Sequence, residues 1–124
     1  MPRPLPIIAI LCLAASPALA ADNSREVATA AAHAGMAAGA EAPQMVRSHI
    51  QHVINCLEGP KGADFVAALG NPCASLGEGA IPDGPSDGRK KLEDIAGLAK
   101  KALAEQNIDK AKQMAGELQS ELGK

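Results

Sequence analysis

The stretch Pro43–Leu57, PQMVRSHIQHVINCL, decides the fold, because its apolar residues recur at the spacing of one face of an α-helix. The apolar stripe consists of Val46, Ile50, Val53, Ile54 and Leu57. The polar residues predicted to face away from it are Gln44, Arg47, Ser48, Gln51 and Asn55. Pro43 suits the first turn of this helix, and Gly59-Pro60 ends it.

A line of four metal-capable side chains runs along the border of this stripe: Met45, His49, His52 and Cys56. Their steps of four, three and four residues place them within roughly 60° of one face, at about 100° per residue. A site on this line is expected to be half-buried.

The preceding helix is predicted over Glu26–Ala38, after the capping residues Asn23-Ser24 and before a short connection at residues 39–42. His33 lies eight residues before Glu41 and His49 eight residues after it, so an antiparallel pair brings the two imidazoles to one height. Met36 and Met45 are then one turn nearer the connection. This arrangement predicts a metal site made of His33, Met36, Met45, His49 and, one turn further on, His52.

Imidazole and thioether ligands together suit copper, particularly Cu(I), with zinc and nickel as alternatives. A Cys56 thiolate beside His49 and His52 would favour zinc. The alternative to any metal site is packing: Met at helical spacing often fills a core, and His49 and His52 could border core and solvent.

Residues Met1–Ala20 have the features of a secretory signal peptide, with Arg3, an apolar run Leu5–Ala15, and Ala18-Leu19-Ala20 as the cleavage site. Cleavage after Ala20 would remove Cys12 and leave residues 21–124 as one periplasmic or secreted domain. Nothing later resembles a second membrane span, so no stable membrane anchor is expected.

Two cysteines then remain, Cys56 and Cys73, and an oxidising compartment favours a disulfide between them. Closing this loop is worth roughly 3 kcal/mol in the chain-entropy model. The disulfide and the zinc thiolate compete for Cys56.

Residues 59–88 are rich in Gly and Pro and predict a long loop, with a short helical piece at Ala63–Leu69. Two further helices are predicted at residues 89–105 and 110–122, the second capped by Asp109. The fold class is therefore all-α, with hairpins at 24–58 and 89–122 forming a four-helix bundle. The second half echoes the first at an offset of 68 residues, with Ile50 matching Leu118.

Composition excludes several classes of function. Without Arg3 the chain has 11 basic and 14 acidic residues, and Phe65 is its single Phe, Trp or Tyr, so nucleic acid is not an expected partner. Neither a nucleophile elbow nor a phosphate loop is present, so no enzyme is predicted. The absence of Cys-x-x-Cys-His excludes covalent haem, whereas a non-covalent haem between bundle helices is a lesser alternative.

The pattern Ala31-Ala32-His33-Ala34, Gly39 and His49-Ile50-Gln51-His52 resembles the small His-rich periplasmic metal-binding helical proteins of proteobacteria. The resemblance covers about residues 28–57. This chain departs from that pattern in its few histidines and its cysteine pair. The resemblance therefore implies one or two metal ions held by His33, His49 and His52.

Together these observations predict an exported helical protein that binds a soft or borderline transition metal, copper first, for buffering or delivery. The alternative is a cofactor-free periplasmic interaction or stress protein. In that case the long loop or the basic face at Arg89-Lys90-Lys91 would meet a protein partner.

Overall fold

The computed structural model describes residues 22–124, and the predicted signal peptide, Met1–Ala20, lies outside the described residues. Every regular element in this range is helical, which confirms the predicted all-α class. The helices are α1 (Ser24–Gly39), α2 (Pro43–Glu58), α3 (Ala80–Asp83), α4 (Ser86–Ala104) and α5 (Ile108–Leu122), with a 3₁₀ turn at Ala67–Leu69. None of the described helices is long and apolar enough to cross a membrane.

The four long helices share one core. Helix α1 packs against α2 and α5, and α4 packs against the same two helices from the other side. The buried side chains of α1 are mainly small, since Ala30, Ala34 and Ala37 are fully buried. Small side chains let neighbouring helices approach closely, and α2 fills the shared core with Val and Ile side chains.

The polar face of α2 differs from the prediction. Gln51 and Asn55 were predicted to face away from the core, but both are buried. The chain after Gly59 folds back over this face and covers them with residues 64–73, named here the covering segment. The predicted helical piece at Ala63–Leu69 is only the 3₁₀ turn Ala67–Leu69.

The later helices also depart from their predicted ends. A short helix, α3, interrupts the predicted loop 59–88, and α4 begins at Ser86 rather than residue 89. The cap of α5 is Asn107, whose side-chain oxygen accepts from the backbone N–H of Lys110 at 3.0 Å. Asp109, predicted as the cap, lies inside the first turn.

The helix pair α1–α2 corresponds to the pair α4–α5 at an offset of 65 residues, rather than the predicted 68. Adding 65 to the end of α1 and the start of α2 gives Ala104 and Ile108, where α4 ends and α5 starts. Fully or nearly fully buried positions also match at this offset: Ala30 with Ile95, Ala34 with Ala99, Ala37 with Ala102, Val46 with Ala111, Ile50 with Ala115, Val53 with Leu118, and Leu57 with Leu122. The offset of 68 matches fewer of them, because it shifts each helix by nearly one turn.

Candidate metal centre

Three histidines converge where α1 meets α2, and they are named here the His triad: His33, His49 and His52. The Nδ1 atom of His33 lies 3.1 Å from Nδ1 of His49 and 3.3 Å from Nδ1 of His52. One ring nitrogen from each residue can be chosen so that all three lie within 4.8 Å of one another. All three residues are half-buried, so the triad has a side open to solvent.

Helix geometry explains why these side chains meet. His49 and His52 are three residues apart on α2 and therefore lie on the same face. Only residues 40–42 separate α1 from α2, which brings His33 level with them. Ala34 and Ala37, next to His33 on α1, are fully buried and allow α1 to lie close to α2.

The hydrogen bond of His52 fixes its tautomer. Its Nε2 lies 2.6 Å from the backbone oxygen of Leu69. Because a carbonyl oxygen can only accept, Nε2 carries the hydrogen and Nδ1 of a neutral His52 presents a bare lone pair. That lone pair is directed towards the triad, which is the outer-sphere arrangement that orients metal-ligating histidines.

Asn55, one turn beyond His52, holds the backbone on both sides of Leu69. Its side chain donates to the backbone oxygens of Val66 and Gly70, at 3.0 and 2.7 Å, and accepts from Val66 N–H at 3.0 Å. Gln51 adds a fourth attachment by donating to the backbone oxygen of Asp64 at 2.9 Å. The carbonyl that orients His52 is therefore held by buried amide side chains on α2.

The predicted disulfide between Cys56 and Cys73 is present, with the two Cα atoms 5.2 Å apart. It closes the end of the covering segment onto α2, and both cysteines are buried. The alternative of a Cys56 thiolate on zinc is therefore wrong for this oxidised chain.

The electrostatics of His33 and His49 favour neutral imidazoles. Burial lowers the pKa of His33, and the neighbouring His52 and His49 lower it further. Burial also lowers the pKa of His49, with a second contribution from His52. A neutral imidazole is the form that coordinates a metal, so burial and mutual repulsion both favour the binding-competent state.

The nitrogen separations suit one metal ion. With metal–nitrogen bonds of about 2.0–2.1 Å, adjacent ligands are about 3.3 Å apart in a tetrahedron and about 2.9 Å apart in a square plane. The separations of 3.1 and 3.3 Å from His33 lie between or at these values. As a set the three nitrogens lie within 4.8 Å of one another, so the rings of His49 and His52 would have to turn towards each other for all three to bind one ion.

The two predicted thioether ligands lie at exposed positions. The side chain of Met36 is 48% exposed on α1 and that of Met45 is 46% exposed on α2. By helical spacing each lies about one turn from a triad histidine, towards the connection between the helices. The structure thus brings the three histidines together and leaves both methionines accessible beside them.

Sequence reasoning missed the parts of the site that orient His52. No side-chain pattern marks the Leu69 carbonyl, because a backbone oxygen is present at every residue. The signal that could have identified Asn55 is its place beside the apolar stripe, where a helix packed against a loop buries an amide.

Comparison of this chain with protein-family models, curated proteins and solved structures gave no match.

Proposed function

We propose that this chain binds a single transition-metal ion, copper first, through His33, His49 and His52, for buffering or delivery in an exported compartment. The observation that carries the proposal is that the Nδ1 atoms of His49 and His52 lie 3.1 and 3.3 Å from Nδ1 of His33. Three neutral imidazoles suit copper, zinc and nickel, and Cu(II) is the strongest binder of the divalent series. The resemblance to His-containing periplasmic metal-binding proteins points in the same direction.

The open side of the triad suits exchange of the ion. Three protein ligands leave a coordination position for water or for a ligand from another molecule. Met36 and Met45 are accessible thioethers, a ligand type that favours Cu(I). In this proposal Met36 and Met45 help to bind Cu(I), and the triad binds Cu(II). The four long helices form a two-hairpin bundle that holds these side chains in place.

Titration of the purified protein with Cu(II), Cu(I), Zn(II) and Ni(II) tests the proposal. We expect one ion per chain, bound with better than micromolar affinity, and loss of that binding in His33→Ala and His49→Ala. Leu98→Ala is the matched control, because Leu98 is the half-buried residue that corresponds to His33 at the offset of 65. Equal affinity in the wild type and both histidine variants would contradict the proposal.

A cofactor-free interaction protein is the second candidate, favoured by four large apolar side chains on the surface. Met36, Met45, Val66 and Leu69 are each between 38% and 48% exposed. Failure of metal binding in the titration would favour this candidate. A Soret band on adding haem would favour the haem-binding alternative instead.

A further inference from the structure

The covering segment is attached to α2 at several points, and these points come in the same order along α2 and along the segment. Gln51 holds Asp64, Asn55 holds Val66 and Gly70, and Cys56 holds Cys73. Within this frame the Leu69 carbonyl meets His52 Nε2. One strip of α2 therefore carries two ligands of the proposed metal site and also the anchors of the segment that orients one of them.

The first residue of the covering segment, Asp64, is also held by Glu58 and Lys100, but the middle of the segment has few other attachments. Its residues from Val66 to Gly70 are all exposed, and its short 3₁₀ turn has no buried residue. Segments with few buried apolar contacts open locally at low free-energy cost. The position of the Leu69 carbonyl thus depends on Asn55 and on the covalent tie at Cys73.

We propose that the covering segment is the outer coordination shell of the metal site, with Asn55 as its positioning residue, and that the Cys56–Cys73 disulfide thereby sets the metal affinity. This inference rests on the proposed function. In the oxidised chain the segment stays closed and His52 presents its Nδ1. When the disulfide is opened, the Leu69 carbonyl withdraws for part of the time, and His52 loses its fixed tautomer and orientation.

The redox step is a two-electron reduction of the disulfide. A phosphine reductant attacks one sulfur and breaks the S–S bond. Water then supplies the oxygen of the phosphine oxide and the protons of the two thiols. A dithiol achieves the same result by forming its own disulfide. Reduction would lower the metal affinity, so the chain would hold its ion in an oxidising compartment and release it more readily in a reducing one.

The main experiment measures Zn(II) affinity by competition with a chromophoric chelator, since Zn(II) itself has no redox chemistry. The variants are Cys56→Ser with Cys73→Ser, and Asn55→Ala. We expect each to lower the affinity about 10- to 100-fold, the usual effect of losing an outer-shell partner. Ile95→Ala is the control for general destabilisation, because Ile95 is buried on α4, which has no contact with α1 among the described residues.

A gentler variant keeps both anchors and the disulfide. Gly70 has φ of +88°, a conformation that strains any residue with a Cβ, and an added Cβ would meet His52 Nε2 only at an ordinary van der Waals distance of 3.9 Å. Gly70→Ala should distort the chain beside Leu69 and lower the affinity by several-fold. Unchanged affinity in Asn55→Ala, Gly70→Ala and the double Ser variant would overturn the proposal. Cys73→Ser alone tests a rival: a rise in affinity would mean that the Cys56 thiolate becomes a ligand, and it would also overturn the proposal.

A measurement without metal separates this inference from the proposed function. In ¹⁵N spectra of the oxidised wild-type protein, His52 should be the Nε2–H tautomer. Reduction with a phosphine should replace this signal with an average of the two tautomers while the helical circular dichroism persists. A tautomer signal that survives reduction would contradict the coupling, whatever the titrations show. Failure of the oxidised wild type to bind any metal would instead contradict the proposed function.

Discussion

The α1–α2 pair and the α4–α5 pair are built alike but carry different chemistry. Three residues connect the helices in each pair, and the buried positions of one match those of the other at the offset of 65. At this offset His33 corresponds to Leu98 and His49 to Met114, and both counterparts are half-buried residues packed against the core. Apolar side chains therefore satisfy packing at these positions, and the fold itself does not require imidazoles.

The surface beside the triad differs in the same way. Met36 and Met45 correspond to Lys101 and Lys110, and all four positions are exposed. The α4–α5 pair thus has the solvated lysines that an exposed helix face usually carries, whereas the α1–α2 pair has thioethers. The two helix pairs pack alike, but the histidines and the exposed methionines all lie on the α1–α2 pair. Packing alone does not explain this difference.

The largest expected effect comes from giving the α1–α2 pair the residues of its counterpart. His33→Leu with His49→Met should lower Zn(II) affinity at least about 1,000-fold, because two of the three imidazole ligands are lost. The free energy of unfolding should rise by about 1 kcal/mol, since apolar groups replace half-buried polar ones. Chelator competition and urea unfolding measure the two effects.

The reverse exchange is the control for this prediction. Leu98→His with Met114→His and Glu117→Gln should create no comparable site, because the third imidazole is missing and no carboxylate takes its place. If the His33→Leu, His49→Met variant bound one metal ion per chain with wild-type affinity, the claim that the triad makes the α1–α2 pair a metal site would be contradicted.

The next largest effect is the contribution of the disulfide to the free energy of unfolding. The disulfide ties the covering segment to α2 and has no counterpart on α5, where Glu121 corresponds to Cys56. Replacing both cysteines by Ser should lower the free energy of unfolding by about 3 kcal/mol, as loop closure predicts. Denaturant unfolding of the metal-free protein measures this change. A loss below about 1 kcal/mol would mean that the loop is held equally well without the bond.

Glu26 gives a smaller effect and a pH dependence. It is buried, whereas its counterpart Lys91 is exposed. Its Oε1 accepts from Gly79 N–H at 2.9 Å, and its Oε2 makes no hydrogen bond to any residue that the structure describes. Burial raises the pKa of Glu26, the bond from Gly79 offsets this only in part, and the charge of Asp83 raises it further.

A carboxyl group whose pKa is higher in the folded than in the unfolded state favours folding while it is protonated. This contribution to the free energy of unfolding disappears once the pH is high enough to ionise the group in the folded state. The contribution of Glu26 is therefore retained at acid pH and lost as the pH rises through its raised pKa. Glu26→Gln should raise the free energy of unfolding at pH 7 by roughly 1 kcal/mol and have little effect near pH 4. Lys91→Gln is the control and should show no such pH dependence, and an equal effect of Glu26→Gln at both pH values would contradict the assignment.

The smallest effect concerns the first turns of α2 and α5. Ala42 and Asn107 occupy corresponding N-cap positions with similar extended backbones, at ψ of 128° and 114°. Only Asn107 caps its helix through its side chain. Asn107→Ala should lower the free energy of unfolding by about 0.5–1 kcal/mol, and Ala42→Asn should raise it by a similar amount. Thermal unfolding checks both, and opposite signs would contradict the equivalence of the two turns.

The sequence predicted the elements that depend on local pattern. The spacing of Val46, Ile50 and Val53 gave α2 almost to the residue, and the cysteine pair gave the disulfide. Counting residues from the connection also placed His33 opposite His49. These predictions succeed because helical periodicity and a short connection leave little freedom.

The parts that failed depend on tertiary contacts. Gln51 and Asn55 are polar by sequence, and only the covering segment makes them interior residues. The role of Leu69 depends on a backbone oxygen, which leaves no trace in the sequence. The offset of 68 was favoured by side-chain similarity alone, whereas the turns and buried positions determine 65.

X-ray absorption of the protein loaded with one equivalent of Cu(II) tests the central claim most directly. The account predicts a nitrogen-rich first shell at about 2.0 Å with the outer-shell scattering of three imidazoles, reduced to two in His52→Ala. A spectrum with one imidazole or none, unchanged by His52→Ala, would contradict it.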